Sequence, residues 1–240
     1  MKDVFSGLQK LDIPYVLDAA TGRGDFINVL KKNLRSYTQI IGVDTSEKSV
    51  NYAQKLFPEN DVEIYRMDLE DLRFEDGHFG LVCMSNSLHH MQNPHKVFAE
   101  MVRVLAPGGI FLLTEMYRDG DQSEPQRTHI MMHHWMAAVD RKMGVSHNET
   151  YTRIEIITMV ESLSLSSMHV EDFYYPTDNP KEARNCETLR NNCTEAFKRL
   201  DNIPDSDDLL AEGQLVLKRI QEIGCASPSR LMITAVKPNK

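Results

Sequence analysis

Cysteine is scarce in this chain, with four in 240 residues, and none of them stands in C-x-x-C spacing. That is too few for a disulfide framework in a chain of this length, so Cys83, Cys186, Cys193 and Cys225 are expected as reduced thiols. Long apolar runs are missing as well. No stretch could cross a bilayer, and the first residues, MKDVFSGLQKLD, lack the apolar core of a signal peptide, which together lead to the expectation of a cytoplasmic location and no membrane partner. Positive charge is in deficit, 27 Lys and Arg against 35 Asp and Glu for a net charge of −8. The resulting field repels phosphate backbones, so no nucleic-acid partner is expected, and Lys31, Lys32 and Arg35 read as a solvated helix face. Repeats and low-complexity tracts are absent too.

What is present is hydrophobic content of 41%, enough for the core of one α/β domain over residues 1–240. From Pro14 onward, short runs rich in Val and Ile alternate with amphipathic stretches of helical period, the pattern of a parallel sheet covered on both faces. Strands are expected at Tyr15–Leu17, Gln39–Val43, Val62–Arg66, Leu81–Met84 and Ile110–Thr114. Helices are expected near Phe26–Arg35, Ser46–Leu56 and Pro94–Leu105, the last with Asn93 as N-cap and Pro94 at the first helical position. The turn Ala106-Pro107-Gly108-Gly109 stops that helix and launches the next strand.

After Thr114 the rhythm breaks. Tyr117–Gln126 is polar and turn-rich, and His129–Met143 reads as a helix rich in Met and His, so residues 117–150 are a candidate lid segment. Thr152 and Glu155 form a capping box for a helix to about Ser162. His169–Tyr174 and Arg230–Val236 supply two more strands. Residues 176–226 are a helical insertion before the last strand, with helices near Lys181–Leu200 and Asp207–Ile223 and a stop at Gly224. Ala183, Cys186, Leu189, Cys193, Phe197 and Leu200 form an apolar stripe that packs onto the body or serves as a homodimer face.

The strongest chemical signal is Val16-Leu17-Asp18-Ala19-Ala20-Thr21-Gly22-Arg23-Gly24-Asp25-Phe26, an apolar strand running through a glycine-bearing turn into a helix. Gly22 and Gly24 permit close backbone approach to a ligand, and the helix start offers unpaired N–H groups. Three carboxylates, Asp18, Asp44 and Asp68, stand at or just after strand carboxyl ends, where open α/β sheets bind ligands. Asp44, in Ile41-Gly42-Val43-Asp44, is placed to accept from both ribose hydroxyls, and Asp68 from an adenine amino group. A nicotinamide-dependent oxidoreductase would share the turn and the acid after the second strand. It would also need G-x-G-x-x-G directly after the strand, and no third glycine stands at Phe26 or Ile27.

With VLDAATGRGD, IGVD, RMDLEDLRF, FGLVCMSNSLHHM and LAPGG in sequence, residues 14–116 resemble the Rossmann-like, class I S-adenosylmethionine-dependent methyltransferases, particularly the small-molecule type that includes ubiquinone-biosynthesis enzymes. The resemblance implies a seven-stranded sheet in the order 3-2-1-4-5-7-6, with the last strand antiparallel, helices on both faces and a helical lid. It implies S-adenosylmethionine as cofactor, held by Asp18, Ala19, Ala20, Gly22 and Gly24 at the methionine part, Asp44 and Thr45 at the ribose, and Asp68 and Leu69 at the adenine. Ser85 and Asn86 would face the sulfonium, with His89 or His90 nearby; the sequence leaves open which histidine points inward. Ala20 replaces the first glycine of the family's D-x-G-x-G-x-G, a change without penalty if its φ is negative.

The expected reaction is in-line methyl displacement onto a small-molecule acceptor, apolar or aromatic if Met131, Met132, Trp135, Met136, Val139 and Met143 wall its pocket. Glu115, Tyr117, His129, His133 and His134 are the substrate-side candidates, with Glu115, His133 and His134 as possible catalytic groups. His129 and His133 share the four-residue spacing of a metal-binding pair, with His147 as a third ligand, but no acidic or Cys ligand stands at diagnostic spacing beside them, so no metal is expected. A non-catalytic module that binds the cofactor or serves in assembly is the other reading of the same motifs.

Overall fold

The alternation of apolar strands and amphipathic helices builds a seven-stranded sheet in the computed structural model, which describes residues 4–201 and 203–239. The strands and helices in chain order are β1 (Asp12–Ala19), α1 (Asp25–Asn33), β2 (Ser36–Asp44), α2 (Glu47–Leu56), β3 (Val62–Arg66), β4 (Phe79–Ser85), α3 (Pro94–Val104), β5 (Leu105–Met116), α4 (Glu124–Lys142), α5 (Arg153–Glu161), β6 (Ser166–Phe173), α6 (Ala183–Leu200), α7 (Asp207–Glu222) and β7 (Arg230–Val236). Sheet order is β3-β2-β1-β4-β5-β7-β6. Strands β1 to β5 pair in parallel, and β7 runs antiparallel to both β5 and β6. The strand order and the antiparallel last strand are those expected. The opening residues Met1–Asp3 of the N-terminal reading lie outside the described residues. Among those described, no helix is long and apolar enough to cross a membrane.

Three apolar clusters hold the molecule together. One face of the sheet packs Leu17, Val82, Phe111 and Ile233 against Phe98 and Met101 of α3 and Ile156 and Val160 of α5. On the other, Val16, Ile40, Leu81 and Leu112 meet Ile27 and Leu30 of α1 and Val50 and Ala53 of α2. A separate cluster joins Met132, Trp135 and Val139 of α4 to Cys186, Leu189 and Cys193 of α6 and Val216 and Ile220 of α7. These three helices form a cap of their own, tied by the Trp135 indole N–H donating to the Leu209 carbonyl at 2.8 Å.

Several expectations change. Cys186 and Cys225 are paired in a disulfide, Cα atoms 5.4 Å apart across 39 residues of chain, while Cys83 and Cys193 are free and buried. The reduced-thiol reading fails for that pair because Gly224 (φ 91°) turns the chain back, with Cys225 N donating to the Pro180 carbonyl beside the start of α6. Asn93 is the N-cap residue of α3 and Pro94 its first residue, as read, but the Asn93 side chain makes no cap bond; its amide donates to Glu70 Oε1 at 2.8 Å instead. Ala106–Gly109 belongs to β5, since β5 begins at Leu105 opposite Phe79 and shifts register before Leu81. Helix α4 begins at Glu124, five residues before His129, because Gln126 Oε1 reaches back to Ser123 N at 2.8 Å. The α6 stripe is covered by α4 and α7. The Thr152–Glu155 capping box forms as read, Glu155 Oε2 accepting from Thr152 N at 2.6 Å.

Candidate functional site

The turn from β1 to α1 is drawn tight by three residues with positive φ, Ala20 (57°), Gly22 (56°) and Gly24 (88°). Thr21 N donates to the Val43 carbonyl and Gly24 N to the Thr21 carbonyl, both at 2.9 Å. The two glycines serve different ends. A Cβ on Gly22 would enter open space, whereas one on Gly24 would lie 2.4 Å from Phe57 Cε2, so Gly24 answers to helix packing. Ala20 corrects the expectation of a negative φ: the turn demands the left-handed region there, and its methyl group carries that strain. Asp18 lies beneath the turn and is 1% exposed, accepting from Thr21 Oγ1 at 2.6 Å. Burial raises its carboxyl to about 7, against the opposing pull of hydrogen bonds from Thr21 and Cys83.

Above the turn, at the carboxyl ends of the strands, opens a cleft of about 730 Å³ lined by Ala20, Gly22, Asp44, Thr45, Asp68, Leu69, Asn86 and His90. Asp44 bridges two turns, accepting from Gly22 N on Oδ2 at 2.9 Å and from Ser46 N on Oδ1 at 2.8 Å. An ionised carboxylate has about four acceptor sites, so acceptor capacity remains toward the cleft. Asp68 Oδ1 accepts from Glu70 N at 2.9 Å. Asn86, at φ 48°, donates its backbone N–H to the Thr114 carbonyl at 2.8 Å, and its side-chain Oδ1 is buried without a partner.

A family model described as a methyltransferase domain matches residues 17–113. The chain is 35% identical over 96 residues to a ubiquinone/menaquinone biosynthesis C-methyltransferase, UbiE, of Desulfotalea psychrophila, covering 39% of this chain and 38% of that one. This chain thus resembles methyltransferases over residues 17–113. It spans 29–54% of the length of the first curated relatives it matches. Among solved structures, the YcgJ protein of Bacillus subtilis superimposes with a TM-score of 0.62 at 19% identity, over 95% of this chain and 93% of that one. Haemonchus contortus phosphoethanolamine N-methyltransferase 2, solved with S-adenosyl-L-methionine, superimposes with a TM-score of 0.57 at 17% identity, over 95% of this chain and 49% of that one.

The resemblance implies S-adenosylmethionine as cofactor, and the residues of the cleft fit it. Gly22 leaves open the space that a side chain would fill, Asp44 keeps acceptor capacity for a diol, and Asn86 Oδ1 is an orphaned acceptor on the wall. Of the residues assigned to the cofactor from sequence, Asp18, Ala19, Gly24 and Ser85 do not line the cleft. Asp18 and Ala19 are buried in the strand end, and Ser85 Oγ accepts from Thr114 Oγ1 at 2.8 Å. Ser46, Ser49, Glu70, Ser87, Gln92 and Ser146 join the lining. The first two follow Asp44 on the α2 capping turn, a position that the strand-end reasoning could have reached; Ser146 comes from far along the chain and carries no sequence signal.

The substrate-side candidates stand away from the cleft. Glu115 is fully buried and holds the turn Leu88–His90, with Oε2 accepting from Leu88 N at 2.8 Å and Oε1 3.0 Å from His89 Nδ1. His134 meets Thr150 Oγ1 at 2.8 Å, and His129 stacks on His133 with ring centroids 5.1 Å apart. Tyr117 is buried in the sheet core. Burial holds His129 down to about 4 and His133 well below the usual histidine range. His90, not His89, faces the cleft, and although the residue is partly open to it, desolvation of its ring against His89 and His147 lowers it to about 3. The expected Met and Trp wall is also displaced: Met132, Trp135 and Val139 fill the cap core, and Met131 and Met143 are exposed.

Proposed function

We propose that this methyltransferase transfers the methyl group of S-adenosylmethionine to a small-molecule acceptor by in-line displacement. The observation that carries the reading is the cleft at the strand carboxyl ends, where Asp44 is fixed by Gly22 N and Ser46 N with acceptor capacity left over. When bound, the cofactor supplies a methyl group already activated by its sulfonium leaving group, so the protein's work is alignment and exclusion of water. Asp44 and Thr45 would hold the ribose, Asp68 and Leu69 the adenine, and Ala20, Gly22 and Asn86 the methionine end. Residues 117–150 act as lid through Val145 and Ser146, which lie on the cleft wall. Met91, Val97 and Val145 give that wall an apolar side suited to an apolar or aromatic acceptor. The Desulfotalea relative is named for the biosynthesis of ubiquinone and menaquinone, compounds of that kind.

Calorimetry with S-adenosylmethionine, S-adenosylhomocysteine and NAD, on the native chain and on Asp44→Ala, tests this reading. Both adenosyl ligands should bind, and the variant should lose about 10- to 100-fold in affinity, the scale of one or two hydrogen bonds to a charged group. Binding of NAD alone, or of none of the three, would refute it.

A further inference from the structure

Two buried histidines in this molecule are held in the same way, and both end in a bare nitrogen. His89, in the turn after β4, has Nδ1 3.0 Å from Glu115 Oε1. His147, in the loop after α4, has Nδ1 2.6 Å from Asp140 Oδ2, and Arg199 pairs with the other oxygen of that carboxylate. An ionised carboxylate only accepts, so each Nδ1 carries the proton, and in the neutral ring the lone pair sits on Nε2. Both Nε2 atoms are buried without a hydrogen-bond partner, on residues 1% and 5% exposed. Leaving a buried polar atom unpaired is costly, and here the arrangement occurs twice within one cluster.

Between them stands His90, its ring centroid 4.3 Å from that of His89 and 4.2 Å from that of His147. One ring nitrogen from each of the three lies within 4.8 Å of the others. The backbone fixes this meeting, since Asn148 N donates to the His89 carbonyl at 2.9 Å and Asn148 Nδ2 to the Met91 carbonyl at 3.0 Å. Around a tetrahedral ion with bonds of about 2.0–2.1 Å the nitrogens stand about 3.3 Å apart, so binding would draw the three, now within 4.8 Å of one another, closer together.

We propose that His89, His90 and His147 form a binding site for one divalent transition-metal ion of the zinc type, with Glu115 and Asp140 as the carboxylates that orient two of the ligands. Three imidazoles select such ions over magnesium or calcium, and a ligating histidine whose other nitrogen donates to a carboxylate is the usual outer arrangement of these sites. The site replaces the expectation of no metal and also the triplet considered from sequence: His129 and His133 stack on each other, and only His147 carries over. Because His90 also lines the cleft, the fourth position opens toward it. A hydroxyl or thiol of the acceptor could bind there and lose its proton more readily, a consequence that rests on the methyltransferase reading; metal binding itself does not.

The test is titration of tag-free, chelator-stripped protein with Co(II) and with Zn(II), without any adenosyl ligand, followed by the ligand-field absorption of cobalt and by calorimetry. One equivalent should bind, with visible bands of a low-coordinate nitrogen site that zinc abolishes. His147→Ala and His90→Ala should each lose at least about 10-fold in affinity, and Asp140→Asn about 10-fold with the bands retained. His90 is exposed, so its variant is the one whose fold, checked by circular dichroism, keeps the test sound. No stoichiometric binding by the native chain, or unchanged affinity in folded His90→Ala, would overturn the site and leave the outcome of the adenosyl-ligand titration unaffected.

Discussion

The sheet half and the helical cap of this molecule are built on different principles. In the sheet half, most cleft residues come from the end of a strand or the turn just after it, so neighbouring strand ends set the geometry: Asp44 is positioned by Ser46 N of its own turn and Gly22 N of the adjacent one, and Asp68 meets Glu70 N. In the cap, partners come from far apart. Trp135 binds the Leu209 carbonyl, Cys186 joins Cys225, and Arg199 reaches Asp140 across 59 residues. The two halves meet at the histidines, where the turn after β4 touches the loop after α4. A strand end can host a binding residue with help from its own turn and that of the paired strand, whereas the cap must bring separate helices together before its groups have their geometry.

The largest expected effect breaks the cap alone. Trp135 is fully buried in a cluster that shares no residue with the two sheet clusters. Trp135→Ala should cost about 3–5 kcal/mol in stability, the range for removing a large aromatic side chain from a core. Hydrogen exchange should show the loss in the amides of α4, α6 and α7, while those of β1 and β4 keep their protection. Equal loss in both regions would mean that they unfold as one unit, and the contrast drawn above would fail.

The same contrast explains what could be read from the sequence. Val62–Arg66 and Arg230–Val236 were bounded by their apolar content alone, and both strands run between those residues. β1 extends three residues earlier than its apolar run because Asp12, Ile13 and Pro14 are mostly exposed and owe their conformation to pairing with β2. Asp18 and Asp44 look alike as strand-end acids, yet one lies under the turn and the other on the cleft. Sequence marks the end of a strand but not which layer its last side chain enters. Glu115 read as a free acid because its partners, Leu88 and His89, lie more than twenty residues away. The disulfide and the three-histidine cluster escaped for the same reason, since no local spacing encodes a meeting between separate loops.

A second prediction sharpens the sheet side. Burial raises the Asp18 carboxyl from 3.8 to about 7 in the folded chain. The sign follows from proton binding: between about pH 4 and pH 7 the native state keeps a proton that the unfolded chain releases. Asp18 therefore contributes stability that falls as pH rises through that window and stays lost above it. The amplitude has an upper bound of about 4 kcal/mol. Carboxylates held low, such as Glu100 beside Arg103 and Asp172 beside Arg153, act in the opposite sense, their stabilisation being lost as pH falls. The measurement is thus a difference curve, chemical denaturation of the native chain against Asp18→Asn from pH 4 to pH 8. The variant should gain relative to the native chain as pH rises. A flat difference would show that Asp18 is ionised throughout, and the buried layer beneath the turn would have to be read differently.

The smallest effect concerns the one residue of the turn that departs from the family pattern. Ala20 holds φ at 57°, a conformation that glycine adopts freely and that crowds the Cβ of any other residue. Removing the methyl group relieves about 1–2 kcal/mol of strain, and the greater freedom of glycine in the unfolded chain takes back about 0.4–1 kcal/mol. Ala20→Gly should therefore stabilise the protein by up to about 1 kcal/mol, a rise in Tm of about 2–4 °C per kcal/mol for a chain of this size. Ala20→Val, whose branched side chain tolerates positive φ still less, should lower it. Because Ala20 lines the cleft, adenosyl-ligand affinity measured on the same proteins separates the two roles of the turn. A rise in Tm with unchanged affinity would assign the strain to folding alone, whereas a rise accompanied by weaker binding would mean that the Ala20 methyl group contacts the ligand, and the strained conformation would then belong to the binding site.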